Sequence, residues 1–183
     1  MNFDIRLIAA AMLLASATAY SLPDDRSQPI EIQANSAERD AKTGVTTYSG
    51  NVDINQGSIH ISANRVVLDS KNNELSQITA SGAPATYTQQ LTGPEDVVDA
   101  KADTIYFDVA KNLITLQGSA NLKQPSGSIT GDRIEYDTKN ERVRAQASES
   151  GSSDNTKRIT VIIPPAQKQP SAGKTTTGEK SKP

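Results

Sequence analysis

One short phrase returns four times along this chain, and it restricts the fold more than any other feature. Ala34-Asn35 is followed by Asp40, Ala63-Asn64 by Asp69, Ala102-Asp103 by Asp108, and Gly131-Asp132 by Asp137. Each copy is a small residue, then Asn or Asp, then an Asp five positions later, and the copies start 29, 39 and 29 residues apart. After the Asp come a polar turn and a second strand, and in the first three copies a later glycine, Gly50, Gly82 or Gly118. Self-similarity on this scale marks a stacked architecture, in which a unit buries its apolar face only against its neighbours.

Within the units the apolar period is two. Val66 and Leu68, Ile105 and Phe107, and Ile134 and Tyr136 alternate with more polar neighbours. Ile30 and Ile32, Val52 and Ile54, Ile59 and Ile61, and Ile114 and Leu116 do the same. This is the pattern of half-buried strands. Polar turn signals separate them at Asp40 to Gly44, Ser49-Gly50-Asn51, Gln56-Gly57-Ser58 and Asp69 to Asn73. Further ones stand at Gly93-Pro94-Glu95, Asp108 to Asn112, Pro125-Ser126-Gly127 and Asp137 to Asn140. No amphipathic helix interrupts the series, so the chain reads as all-β and built from internal repeats. The recurring Asp residues read as turn formers, each closing a strand and accepting a backbone N–H two residues on. Calcium would need alternating carboxylates within one loop, which none of these turns has.

The ends are of different composition. Residues 1–19 hold Arg6, the apolar run Leu7 to Ala15 and the small residues Ala17-Thr18-Ala19, the layout of a signal peptide cleaved after Ala19. Residues 20–27 form an N-terminal lead, and residues 28–163 a single β domain. Residues 164–183 carry four lysines and no aliphatic residue beyond alanine, and form a solvated, disordered tail. Without cysteine in an exported chain, stability comes from burial and backbone pairing. The net charge of -2 argues against nucleic acid as a partner.

Catalytic parts are missing. His60 is the one histidine, and Ile59 and Ile61 on either side turn it to the solvent face of its strand. With no second histidine, no cysteine, no G-x-S-x-G and no Gly-rich phosphate loop, neither nucleophilic nor metal-assisted chemistry is indicated, and no cofactor is implied. A two-carboxylate glycosidase would need a pair that nothing in the sequence selects. The core has few large rings, with five Tyr, two Phe and no Trp. Such a core can leave a slot between its layers that suits acyl chains. An ordinary packed β-sandwich explains the alternation equally well.

The residues themselves carry a resemblance. Gln28-Pro29-Ile30-Glu31-Ile32, Tyr48-Ser49-Gly50-Asn51-Val52 and the run from Gln56 to Val67 resemble the OstA-like family of periplasmic lipopolysaccharide-transport proteins. The likeness continues through Gly82 to Tyr87, Ala102 to Gly118 and Ile129 to Ile134, and so covers nearly all of residues 28–163. It implies a twisted open β-jellyroll of stacked antiparallel strands, about 12 to 16 of them, with lipid A acyl chains in an apolar groove. The implied partners are lipopolysaccharide, an inner-membrane-anchored LptC-like protein at the N-terminal edge and an outer-membrane LptD-like translocon at the C-terminal edge. Copies of the chain would also associate end to end, since an open jellyroll leaves edge strands that can add to one another.

For the groove, the resemblance implies Ile30, Ile32, Tyr87, Phe107 and Val109, and alternation adds Val52, Ile54, Val66, Leu68, Ile114 and Leu116. Thr86-Tyr87-Thr88 departs from the more aromatic or apolar pair expected of the family. Residues 158–163, with Ile159, Val161 and Ile163, are the candidate oligomer edge, or else complete the domain's own sheet. Two alternatives stand beside this reading. One is a structural or polysaccharide-interacting β-solenoid, which needs no apolar slot; the other is a different member of the same transport pathway.

Overall fold

In a computed structural model the described residues are 25–72, 74–91, 96–147 and 158–165. The expected signal peptide, and the tail beyond Pro165, lie outside them. A 3-10 turn, Asp25–Ser27, leads into ten strands. They are β1 (Glu31–Gln33), β2 (Ser36–Asp40), β3 (Val45–Gln56), β4 (Ile59–Lys71), β5 (Glu74–Gln90), β6 (Val97–Asp108), β7 (Leu113–Gln124), β8 (Gly127–Asp137), β9 (Arg142–Gln146) and β10 (Thr160–Ile162). All pair antiparallel in one sheet, and β3 to β8 follow one another as a meander. At one end β1 and β2 lie along the two halves of β3; at the other, β10 and β9 lie along the two halves of β8.

The long strands are bent, and the repeat phrase is what bends them. Register shifts fall between Ser49 and Val52, Ser62 and Arg65, Ser81 and Ala85, Lys101 and Thr104, and Gln117 and Ala120. They lie side by side across the sheet, and a bulge bends its strand and increases the twist. The inward side of β4 passes from Ile59, Ile61 and Ala63 to Val66, and that of β6 from Val98, Ala100 and Ala102 to Ile105. An alternation that skips three places instead of two has crossed a kink. In β5 the kink is Gly82-Ala83-Pro84, a point where the ladder lapses and a missing N–H costs little.

A single sheet can enclose side chains completely only by folding over on itself. Buried residues from β3 to β8 form one apolar cluster, with Val66, Leu116, Ile134 and Tyr136 wholly excluded from solvent. The aligned bulges are the fold line. One half of each strand runs from there to the hairpins near residues 40–44, 108–112 and 137–141 and to the facing ends of β4 and β5. The other runs to the hairpins near residues 57 and 125 and to the facing ends of β5 and β6. The two outer rims are the lips of the folded sheet.

Ten strands among the described residues are fewer than the expected twelve to sixteen. Each kink throws the alternation out of phase, so that Ile59-Ile61 and Val66-Leu68 resemble two strands when they are one. For the same reason Ser49-Gly50-Asn51, expected as a turn, lies inside β3.

In the first and third copies of the repeat, the later glycine is the partner of the Asn or Asp. Gly50 has φ 79° and Gly118 φ 75°, each followed by a second left-handed residue, Asn51 or Ser119. A Cβ on Gly50 would run into Asn35, and one on Gly118 into Asp103. Gly118→Ala therefore meets both backbone strain and a steric clash at the fold line. It is expected to lower unfolding stability in urea by about 1–3 kcal/mol; an unchanged midpoint would contradict this account of the bend.

Candidate functional site

Two inward apolar rows, one in each half, run across the stack near the lips. In one half, residues directly opposite one another run from Ile32 through Ile54, Ile61, Tyr87 and Leu122 to Ile129. In the other they run from Leu68 through Ile78, Phe107, Ile114 and Tyr136 to Val143. Each fully buried Ile or Leu here stabilises the fold by about 1.5–3 kcal/mol over an exposed one.

The residues singled out from the sequence fall into three groups. Val52, Ile54, Val66, Tyr87, Ile114 and Leu116 are buried in the cluster, and Ile32, Leu68 and Phe107 are half-buried against it. Ile30 precedes β1 and is exposed, and Val109 lies just past β6, half-buried and outside the cluster. Its N–H donates to the Ser76 carbonyl at 3.1 Å. Ile159, Val161 and Ile163 are exposed, Ile163 at 78 %. Val161 pairs with Ile129, so β10 does complete the domain's sheet; on its other side it has no partner strand among the described residues.

A cavity of about 320 Å³ opens between the lips, near the lower end of the about 300–1,000 Å³ usual for ligand sites. Ile59 and Tyr87 from one half and Phe107 from the other form its apolar wall. Asp25, Gln89 and Lys139 are among its polar residues. Asp25 Oδ1 accepts the Ser58 N–H at 2.5 Å, and its Oδ2 accepts Ser58 Oγ at 2.8 Å and Gln89 Nε2 at 2.9 Å. Tyr87 Oη donates to Gln89 Oε1 at 2.7 Å. This polar latch fixes the aromatic ring at the mouth. Sequence reasoning missed Asp25 and Gln89, which are 64 residues apart and give no local signal of meeting.

Deeper in, Tyr136 is wholly buried and its hydroxyl reaches no hydrogen-bond partner among the described residues. Desolvation pushes its pKa above the ordinary tyrosine value, with Gln124 as the polar neighbour that offsets part of this. A buried hydroxyl left unpaired costs about 1–3 kcal/mol. On the outer face, His60 is partly exposed and contacts Asn55 Oδ1 at 2.7 Å and Ser62 Oγ at 3.2 Å, the solvent-side placement expected of it. Among the described residues no group of three His, Cys, Asp or Glu gathers as a metal site would require, and no helix is long and apolar enough to cross a membrane.

The family model described as LptA/(LptD N-terminal domain) LPS transport protein matches residues 31–142, from the first residue of β1 to the first of β9. The chain belongs to this family. Lipopolysaccharide export system protein LptA of Haemophilus influenzae is 37% identical over 171 residues, covering 92% of this chain and 95% of that protein. LptH of Pseudomonas aeruginosa is 38% identical over 157 residues, covering 85% of this chain and 90% of that protein. The crystal structure of LptH is described as that of the LptA-homologous periplasmic component of a lipopolysaccharide transport device. It superposes with a TM-score of 0.70 at 38% identity, covering 78% of this chain and all of that one. The open antiparallel sheet found here is thus the fold of the family.

The repeat Asp residues build the lip near Phe107. Asp40 Oδ1 accepts the Lys42 N–H at 2.8 Å, Asp108 Oδ1 the Lys111 N–H at 3.0 Å, and Asp137 Oδ1 the Asn140 N–H at 2.9 Å. All three carboxyls are held below their ordinary value. For Asp108 the main cause is the Lys111 side chain, for Asp40 the Lys42 N–H, and for Asp137 the Asn140 side chain. Groups depressed in the folded state contribute stability above their unfolded pKa and lose it as pH falls through the folded values. The unfolding midpoint is therefore expected to fall as the pH drops below about 4, the ordinary carboxylate value. Changing all three to Asn should flatten that fall; an equally steep one would contradict it.

Proposed function

We propose that this chain carries lipopolysaccharide across the periplasm, holding the lipid A acyl chains between the two halves of its folded sheet. The observation that carries this is the pair of facing apolar rows that end at a mouth walled by Ile59, Tyr87 and Phe107. The printed names of its relatives, lipopolysaccharide export proteins, support the same cargo. Acyl chains are apolar along their whole length, so shielding them from water is the work such rows do.

The deepest side chains are fully enclosed, so the chains enter by a parting of the lips. Extended backbone contact is confined to strands that are hydrogen-bonded neighbours, so the halves meet through side chains. The bulges at the fold line bend without breaking the ladders on either side.

Residues 1–19 direct export and are removed, residues 20–27 lead into the domain, and residues 164–183 remain a solvated tail. An LptC-like inner-membrane protein docks on the β1/β2 edge and an LptD-like translocon on the β9/β10 edge. Further copies insert between them, end to end.

A photo-activatable residue in place of Ile32 or Phe107 is expected to give lipopolysaccharide adducts in the periplasm, and one in place of outward-facing Gln117 none. Absence of adducts from several inward positions, in protein that still folds, would sink the proposal.

A further inference from the structure

The edges of the sheet differ in charge, and the difference follows the halves. On β1 and β2, Glu31, Glu38 and Asp40 stand against Arg39; on the opposite edge Arg142, Arg144 and Arg158 stand against Glu141. Glu38 and Asp40 on β2, and Arg142 and Arg144 on β9, lie in the half that carries the repeat-Asp lip. The apolar stretches, Ile32 on β1 and Val161 on β10, lie in the other half. Among the described residues each of these four strands has a partner on one side only.

The pairing also obeys a rule that can be extended. Beginning at Asp40, residues directly opposite one another run through Asp69, Asp108 and Asp137 on alternate strands and end at Arg142. The next outward row runs from Glu38 through Tyr106 and Glu135 to Arg144. In the other half a row runs from Ile32 through Ile54, Tyr87 and Ile129 to Val161. Despite a bulge in every pair of long strands, the whole stack accumulates no slip. A second copy that continues the sheet in the same antiparallel sense therefore has one natural register.

We infer that copies of this chain join with Arg144 of one opposite Glu38 of the next, Arg142 opposite Asp40 and Val161 opposite Ile32, and that this charge pairing sets the head-to-tail polarity. The inference rests on the end-to-end association proposed above and adds its register and its selectivity. Each arginine then lies between two acids, Arg142 between Asp137 and the next copy's Asp40, and Arg144 between Glu135 and the next copy's Glu38. Joining β2 to β2 would bring acids together, and joining β9 to β9 would bring arginines together; like charges directly opposite are destabilising. Main-chain hydrogen bonds supply affinity in such strand addition, while side chains select the partner.

Glu38 and Arg144 are the pair to test, because neither makes a side-chain hydrogen bond or ion pair among the described residues, whereas Asp40 also holds its turn. Self-association of the full mature chain is followed by sedimentation across protein concentration at about 50 mM salt, where screening is weak. Arg144→Glu and Glu38→Arg are each expected to weaken association roughly tenfold, and the chain with both changes to recover it. The chain has no native cysteine, and facing Cα atoms in antiparallel strands lie about 4.5–5.5 Å apart, within disulfide reach. Ile32→Cys with Val161→Cys should therefore oxidise into covalent ladders, and Ile32→Cys with Ile163→Cys should not. Association unaffected by charge reversal, or ladders only from the shifted pair, overturns the register and leaves stacking standing. No association of the unaltered chain at any concentration overturns the stacking itself.

Discussion

Everything in this molecule depends on the contact between a small polar side chain and a glycine at the fold line. Asn35 against Gly50 and Asp103 against Gly118 occupy space that any Cβ would take, beside backbone in the left-handed region. Those contacts let the long strands turn without ending. Because the bends fall side by side, a single sheet becomes two facing halves with an inside. Without the bend, the alternating residues would make a flat sheet with one greasy face, which is an aggregating surface rather than a container.

The two directions of the structure are held by different forces. Along the stack, unbroken hydrogen-bonded rows join β2 to β9 and β1 to β10 without slip, and they end in edges still able to pair. Across the stack, the halves are held by apolar packing, while polar contacts such as the Asp25–Gln89–Tyr87 latch order a single lip. A protein built this way is firm in the direction in which copies would add and yields in the direction from which acyl chains would enter.

Much of this was legible in the residues. The four phrases ending in Asp40, Asp69, Asp108 and Asp137 marked the stack; Asp40 and Asp137 accept the N–H two residues on, as expected, and Asp108 the one three residues on. The period of two marked Val66, Ile114 and Leu116 as inward, and the likeness between residues 28 and 163 indicated the family that the comparisons establish. Strand ends were not legible, because the kink at Ala63-Asn64 shifts the alternation in the same way that a strand end does. The two ends of the inward series were not legible either: Ile30 and Val109 keep the period but lie beyond the strands that would bury them. The mouth was read only in part, through Tyr87 and Phe107, since Asp25 and Gln89 meet where the N-terminal 3-10 turn packs beside the ends of β4 and β5 and carry no mark of it in their own neighbourhoods.

The central claim is that the folded sheet takes up lipid by parting its lips, and a distance across the mouth tests it most directly. Spin labels placed at Val97 and Lys139, on opposite lips and in a chain without native cysteine, report that distance by pulsed electron resonance with and without lipopolysaccharide. The account predicts that the separation grows by several ångströms, about the width of an acyl chain, when the lipid binds. Lipopolysaccharide bound with the separation unchanged would contradict it.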